Sequence, residues 1–418
     1  MRFSELSKTE YREFQLRHPY SNFLNSTESM DLEEAINLKV TYVGLKIDDK
    51  VVCATALVKM PAMKKFFYYY SPRGMLVNYE QMEQLSFFAK ELEHYGKKQG
   101  AMYIVVDPYV LYQQRDIDGN PVAGGFYNQS VIDTLEKVGF QHTGFTRGYG
   151  KNMQYIRWMF ALSLNGKTEE EIWKNLHQQT RWSINKTLKY SMQVREIAYD
   201  EMNIFYEIMK HTGERRHFAN RDVTFYQKQY KAYGEHLKVL LAYLDVDKYL
   251  SSINIEYDKS LKDKEHVEQE LEKTPNNKKF IKRKKVIDEA IQVAEKRRKE
   301  ALELQEKHGS IIPMAASMFM FYGDEVTYLT SGSYDEFKGF YASYALQWEI
   351  IQRALKEGYK TYNFYGISGE FDETSPDFGV YKFKRGFDGQ VEELIGDFIM
   401  VTKPILYKVY KTLKKGNI

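Results

Sequence analysis

Residues 41–58 read TYVGLKIDDKVVCATALV, and their interpretation decides the fold. Two β-rich runs flank the polar turn Ile47–Asp48–Asp49–Lys50, the pattern of a β-hairpin. A further strand is expected at 66–70. Over 81–98 the spacing becomes helical, with Leu85, Phe88, Leu92 and Tyr95 on one face, and it stops at Gly100. MYIVVDPY (102–109) then supplies a buried strand ending at Asp107–Pro108. A second helix over about 130–137 leads through Gly139 to FQHTGF.

The later half of the chain repeats this order. KVLLAYLDV (238–246) reads as a strand and SMFMFYGDEVTYLTSGS (317–333) as two more. A helix over 335–357 stops at Gly358, and the strand KTYNFYG lands on Gly366 as the first copy lands on Asp107. Chance likeness of common α/β elements is the competing explanation. Where the first hairpin has a tight turn, the second has the densely charged stretch 247–308. Leu250, Ile253, Leu261, Val267 and Leu271 form one sparse apolar stripe. Val286, Ile287, Ile291, Ala294, Ala301 and Leu304 form another beyond the turn 274–277. This predicts an antiparallel coiled-coil hairpin. The expected organisation is an α/β (α+β) chain with a first unit over 1–160 and a second over 161–246 and 309–400. An arm over 247–308 and a basic tail over 401–418 complete it.

Composition narrows the function. The 418 residues suffice for two or three domains, and 43% hydrophobic content indicates a folded protein. A net charge of +3 gives no global drive toward nucleic acid, so any basic site must be local. One cysteine, Cys53, excludes an intrachain disulfide and fits a reducing cytoplasm. No apolar run is long enough for a signal core or a membrane span. The tail FIMVTKPILYKVYKTLKKGNI places Ile405, Leu406, Val409, Tyr410 and Leu413 at helical spacing beside Lys408, Lys411, Lys414 and Lys415. Such a helix either packs on the first unit or lies on anionic lipid at the inner membrane face.

Recognised catalytic signatures are missing. No Walker motif, complete GxGxxG, HExxH or GxSxG occurs, and one cysteine cannot build a usual zinc site. Catalysis must then rest on positioning and electrostatics, which suits transfer of an already activated acyl group to an amine. FGVYKFKRGFDGQ (378–390) holds Lys382, Lys384 and Arg385 among Tyr381, Phe383 and Phe387. As a strand or as a helical turn, it sets cations against aromatic surface, suited to an anionic ligand; a solvated edge is the bland alternative. Thr168–Glu171 is a capping box opening a helix toward RWSINKTLK, where Arg181, Lys186 and Lys189 make a basic face for phosphates or for solvent.

LEKVGFQHTGF (135–145), YNFYGISGEF (362–371), DFGVYKFKRGF (377–387) and EELIGDF (392–398), with the inserted arm, resemble the FemABX family. Its members are aminoacyltransferases that build the cross-bridge of bacterial peptidoglycan. The resemblance spans essentially the whole chain and is nearest the FemA and FemB type. It implies two tandem Gcn5-related acyltransferase-like domains and a coiled-coil arm. It also implies transfer of a small amino acid (Gly, Ala or Ser) from aminoacyl-tRNA to an amine of a muropeptide linked to undecaprenyl pyrophosphate or UDP. No cofactor is implied, because aminoacyl-tRNA is the co-substrate. Related bridge-building transferases or a second copy are implied as protein partners.

Residue by residue, the family's Phe-Lys pair falls on Phe383–Lys384, with Lys384 stabilising the tetrahedral oxyanion. Arg221, in FANRDVTFY, matches an arginine that contacts the precursor's phosphates. Where some relatives carry tyrosine, this chain has Phe225, with Tyr226 adjacent. A phosphate-side lysine of some relatives has no counterpart around 25–33. Tyr365, Lys382 and Arg385 are further substrate-binding candidates. Asp107 is a candidate for orienting the amine, against the simpler role of capping the Pro108 turn. Two other functions stay open at this point: an acyl-CoA-dependent N-acetyltransferase, and a non-enzymatic RNA- or ribosome-binding protein.

Overall fold

A computed structural model describes residues 1–63, 65–149 and 155–415, the side chains of Lys414 and Lys415 excepted. The expected hairpin is present as Lys39–Ile47 and Lys50–Met63. Asp48 and Asp49 both take positive φ (48° and 59°), the two-residue turn whose twist matches that of the flanking strands. Phe66–Ser71 pairs antiparallel with the second hairpin strand. The helix Met82–Gln99 then crosses over to Tyr103–Val106, which pairs in parallel with Phe66–Ser71. Leu85, Phe88 and Leu92 are buried beneath it, as their spacing requires.

The second sheet has the same order. Leu237–Asp245 and Ile311–Tyr322 pair antiparallel, and Glu325–Ser333 pairs antiparallel with the latter. The helix Ala342–Lys356 crosses to Thr361–Ile367, parallel to Glu325–Ser333. The expected continuous helix over 335–357 is instead a 3-10 segment, Asp335–Phe340, followed by the α-helix. The break falls at Tyr341, whose left-handed φ of 59° no helix accommodates. The capping box at Thr168 forms as read, but its helix, Glu169–Asn175, ends before a separate helix, Gln178–Lys189.

Among the described residues the two sheets have seven and eight strands, and they exchange elements. Leu111–Gln114, from the first half of the sequence, pairs with Gln390–Leu394 in the second sheet. Phe398–Val401, near the other end, lies inside the first sheet between Tyr103–Val106 and Gln141–His142. The position 400, where the sequence suggested a boundary, falls within that strand. Each sheet has its own apolar core. Phe88, Leu92, Ile104 and Phe398 are buried in one, and Phe160, Phe319, Leu346 and Phe364 in the other.

Between the second hairpin's strands, Val246–Lys273 and Lys278–His308 run antiparallel as two long helices. Ile253, Val267, Ile287, Ile291, Ala294 and Ala301 are buried, whereas Leu261 and Val286 point outward. Lys264–Asp288 (2.8 Å), Lys284–Glu268 (2.7 Å) and Arg297–Glu256 (2.8 Å) tie the helices together. The helix Pro404–Lys415 lays Leu406, Tyr407 and Tyr410 against Tyr103 and its neighbours. Its other face leaves Ile405 (82%), Val409 (48%) and Leu413 (54%) exposed. Among the described residues no helix is long and apolar enough to cross a membrane.

Candidate functional site

FGVYKFKR forms the helix Phe378–Arg385, which resolves the strand-or-helix alternative. Its residues divide by face as a 3.6-residue period dictates. Lys382 and Arg385 point to solvent, and Arg385 pairs with Asp118 at 2.5 Å. Tyr381 and Lys384 are buried. The Tyr381 hydroxyl donates to the Ile117 carbonyl (2.7 Å), and Phe383 packs on Tyr344 and Phe387.

Lys384 is only 5% exposed, and its ammonium donates to the Gly366 carbonyl at 2.6 Å. Burial without a carboxylate partner pushes this lysine down to about 7. The receiving carbonyl is placed by an irregularity in Thr361–Ile367. Between Asn363 and Gly366 the pairing with Trp158–Ser163 slips by one residue, a β-bulge. There Tyr365 takes a left-handed φ of 63°, and its backbone N–H donates to the Asn363 side-chain oxygen (2.7 Å). At Gly366 a Cβ would stand 2.5 Å from Ile156 Cδ1, so only glycine permits that approach.

Lys384 lines a cavity of about 460 Å³, with Phe383, Tyr328, Tyr344 and Tyr365. Arg216, Lys338 and Tyr341 also line it, giving it cations and aromatic faces together. A second cavity of about 480 Å³ is lined by Arg221, Phe225, Tyr226, Gln229, Tyr149 and Tyr155. Ile156, Leu329, Thr330 and Tyr365 line both, so the two adjoin across a shared wall.

The structure therefore brings Phe383, Lys384 and Tyr365 to one cavity, and Arg221, Tyr226 and Tyr365 to its neighbour. The Arg221 guanidinium lies 4.9 Å from the Phe225 ring centre, so Phe225 supports the arginine through its face. The hydroxyl of the adjacent Tyr226 is held by Asn220 at 2.6 Å.

Asp107, Lys382 and Arg385 line neither cavity. Asp107 is buried behind the wall, accepting from the Arg73 backbone N–H (2.7 Å) and the Tyr70 hydroxyl (3.1 Å), with the Arg73 guanidinium at 3.3 Å. Burial pushes its carboxyl up, and Arg73 pulls it the other way.

Of the three basic candidates on Gln178–Lys189, Arg181 is spent on structure. Its guanidinium donates to the carbonyls of Lys174 (2.6 Å) and Leu176 (2.5 Å), closing the end of the preceding helix. Lys189 stays exposed. Lys186 lies 5.2 Å over the Trp182 ring, which meets Tyr341 edge-on at the cavity rim.

Sequence reasoning missed Arg73, Tyr155, Tyr328 and Tyr344. For Arg73 there was a signal: a cation between Pro72 and Gly74 immediately after a strand. The tyrosines carried none, since the chain has 34 of them.

Comparison with known proteins identifies the family. The model of the FemAB family matches residues 6–415. The chain is 37% identical to "Aminoacyltransferase FemA" of Staphylococcus aureus (strain MRSA252) over 417 residues, 99% of each chain. It is 35% identical to the protein of that name from Staphylococcus epidermidis, again over 99% of both. Among solved structures, FemX superposes with a TM-score of 0.81 at 22% identity, covering 98% of this chain and 99% of that one. Matched along nearly its whole length, the chain belongs to the FemAB family.

Proposed function

We propose that this aminoacyltransferase of peptidoglycan bridge synthesis takes a small amino acid (Gly, Ala or Ser) from aminoacyl-tRNA and joins it to an amine of a lipid- or UDP-linked muropeptide. The observation that carries the assignment of roles is the buried Lys384 in a cavity that adjoins the Arg221 cavity. The first takes the aminoacyl ester. Its lining of Arg216, Lys338 and Tyr341, beside Lys186 and Trp182, suits a nucleotide with its phosphate. The second takes the precursor, with Arg221 on its phosphates. The acceptor amine attacks the ester carbonyl carbon from across the shared wall. A C–N bond forms, and the carbonyl electrons move onto oxygen, where Lys384 in its charged form stabilises them. The intermediate collapses with cleavage of the C–O bond, and the terminal ribose oxygen leaves with the proton lost by the amine.

Several finer assignments belong to this reading. Each sheet with its crossover helix is an acyltransferase-like domain of the Gcn5-related type, and the helical pair is a coiled-coil arm. The protein works in the cytoplasm at the inner membrane face, with Pro404–Lys415 as its contact. Asp107 supports the site from behind the wall. The test is an assay pairing lipid-linked and UDP-linked precursor with separately charged glycyl-, alanyl- and seryl-tRNA. Peptide-bond formation with at least one pair is expected. No product from any pair, or product from acetyl-CoA instead, overturns the reading.

A further inference from the structure

Arg73 sits at a junction that the proposed mechanism does not use. It follows Phe66–Ser71, has a left-handed φ of 48°, and keeps its side chain 3% exposed. Asp107, at the end of the neighbouring parallel strand, holds both its backbone N–H (2.7 Å) and its guanidinium (3.3 Å). Its carbonyl accepts from the Asn25 side chain (3.0 Å). The guanidinium also donates to the Ile156 carbonyl at 2.7 Å and lies 5.1 Å from the Tyr155 ring centre.

Ile156 is part of the wall between the cavities, and its side chain is seated against the bare Cα of Gly366, where a Cβ would meet it at 2.5 Å. The Gly366 carbonyl holds the Lys384 ammonium at 2.6 Å. The contacts are thus continuous from the first sheet to the buried lysine.

We propose that Arg73, fixed by Asp107, is a positioning residue for transfer: through Ile156 and Gly366 it sets where the Lys384 ammonium stands. The physical case is that none of the intermediate parts has slack. A buried guanidinium fixed by a carboxylate on one side has little freedom to re-aim its bond to Ile156 on the other. A side chain in van der Waals contact with a glycine Cα cannot shift without moving that backbone. The Gly366 carbonyl is the sole hydrogen-bond partner of the Lys384 ammonium among the described residues, so its direction decides the ammonium's. The proposal rests on the role of Lys384 given above, but its geometry does not.

Three variants test it: Arg73→Lys, Asp107→Asn and Gly366→Ala, the last pressing Ile156 from the opposite side. Two measurements are made on each folded variant. One is the single-turnover transfer rate, with separate binding constants for precursor and aminoacyl-tRNA. The other is the rate at which an amine-directed reagent modifies Lys384 at fixed pH, read by peptide mass spectrometry without substrate.

Transfer slowed by about 10- to 100-fold with both binding constants within about threefold of the parent is expected, as for a misplaced catalytic group. The Lys384 modification rate should change in the same variants. Parent-like transfer and modification in any folded variant overturns the proposal, as does weakened binding with Lys384 reactivity unchanged. Should Arg73→Lys fail to fold, Asp107→Asn and Gly366→Ala decide. If the parent protein transfers nothing, the functional reading fails, while the modification rates still decide the relay.

Discussion

Lys384 carries its proposed oxyanion role at a cost in stability. Its folded-state value lies below that of the unfolded chain, so the unfolded state binds more protons between about 7 and the ordinary lysine range. Stability therefore rises with pH across that window, and the penalty is fully present below about 7. Lys384→Met removes it, and should raise stability by on the order of 1–3 kcal/mol at pH 7, with the gain shrinking as pH rises. Denaturant unfolding at several pH values checks this. The same variant should slow transfer by roughly 100-fold, as for loss of an oxyanion donor. With the charged lysine as the proposed working form, the parent's rate should fall as pH rises through about 7, and that limb should vanish in the variant. On the precursor side, Arg221→Ala should weaken binding of a phosphate-bearing precursor by roughly 10- to 100-fold, as for a charge-assisted contact, leaving tRNA binding alone. Titration with precursor and with its dephosphorylated form separates that loss from a general one.

Elements differ in how far their sequence announces them. The first hairpin was legible because Asp48–Asp49 tolerates the backbone its turn demands. The helical pair was legible because an apolar stripe in a charged stretch has few other ways to be buried. Lys384 could be flagged among aromatics, but its helix is too short for periodicity to separate from a strand. The bulge at Tyr365 was not legible: nothing local prefers a left-handed tyrosine, and tertiary packing imposes it. Nor was the wall between the cavities, since Ile156, Leu329 and Tyr365 come together only through the second sheet. Asp107 was noticed for its position at a strand end, but the partner that occupies it lies 34 residues away in sequence. For the arm, several cations are already paired across the helices, which leaves Lys278, Lys279 and Lys282 among those open to a ligand. Replacing 247–308 by a short turn should weaken tRNA binding and lower its salt dependence by about one unit of log–log slope for each phosphate that the arm neutralises. Binding isotherms at graded salt, with circular dichroism to confirm folding, decide this. Unchanged affinity and slope would leave the arm no part in tRNA capture.

At the scale of the whole molecule, the helix Pro404–Lys415 has one packed face and one open face. Leu406, Tyr407 and Tyr410 close the first sheet, so deleting the helix should destabilise the protein and obscure any membrane effect. Ile405 and Val409 are free of that packing and stand beside Lys408 and Lys411. Ile405→Glu with Val409→Glu should therefore keep the fold and reduce flotation with anionic vesicles, more visibly at low salt. Equal flotation of parent and variant would remove the helix as a lipid contact.

The exchanged strand Phe398–Val401 also bears on how the protein is made. Synthesis runs from the N-terminus, yet the first sheet has an interior place that only residues 398–401 can fill. While the chain is still emerging from the ribosome, Tyr103–Val106 offers an unpaired edge to its surroundings. The first sheet must therefore wait for residues 398–401 before it is whole, and the two sheets are bound to mature together rather than in turn.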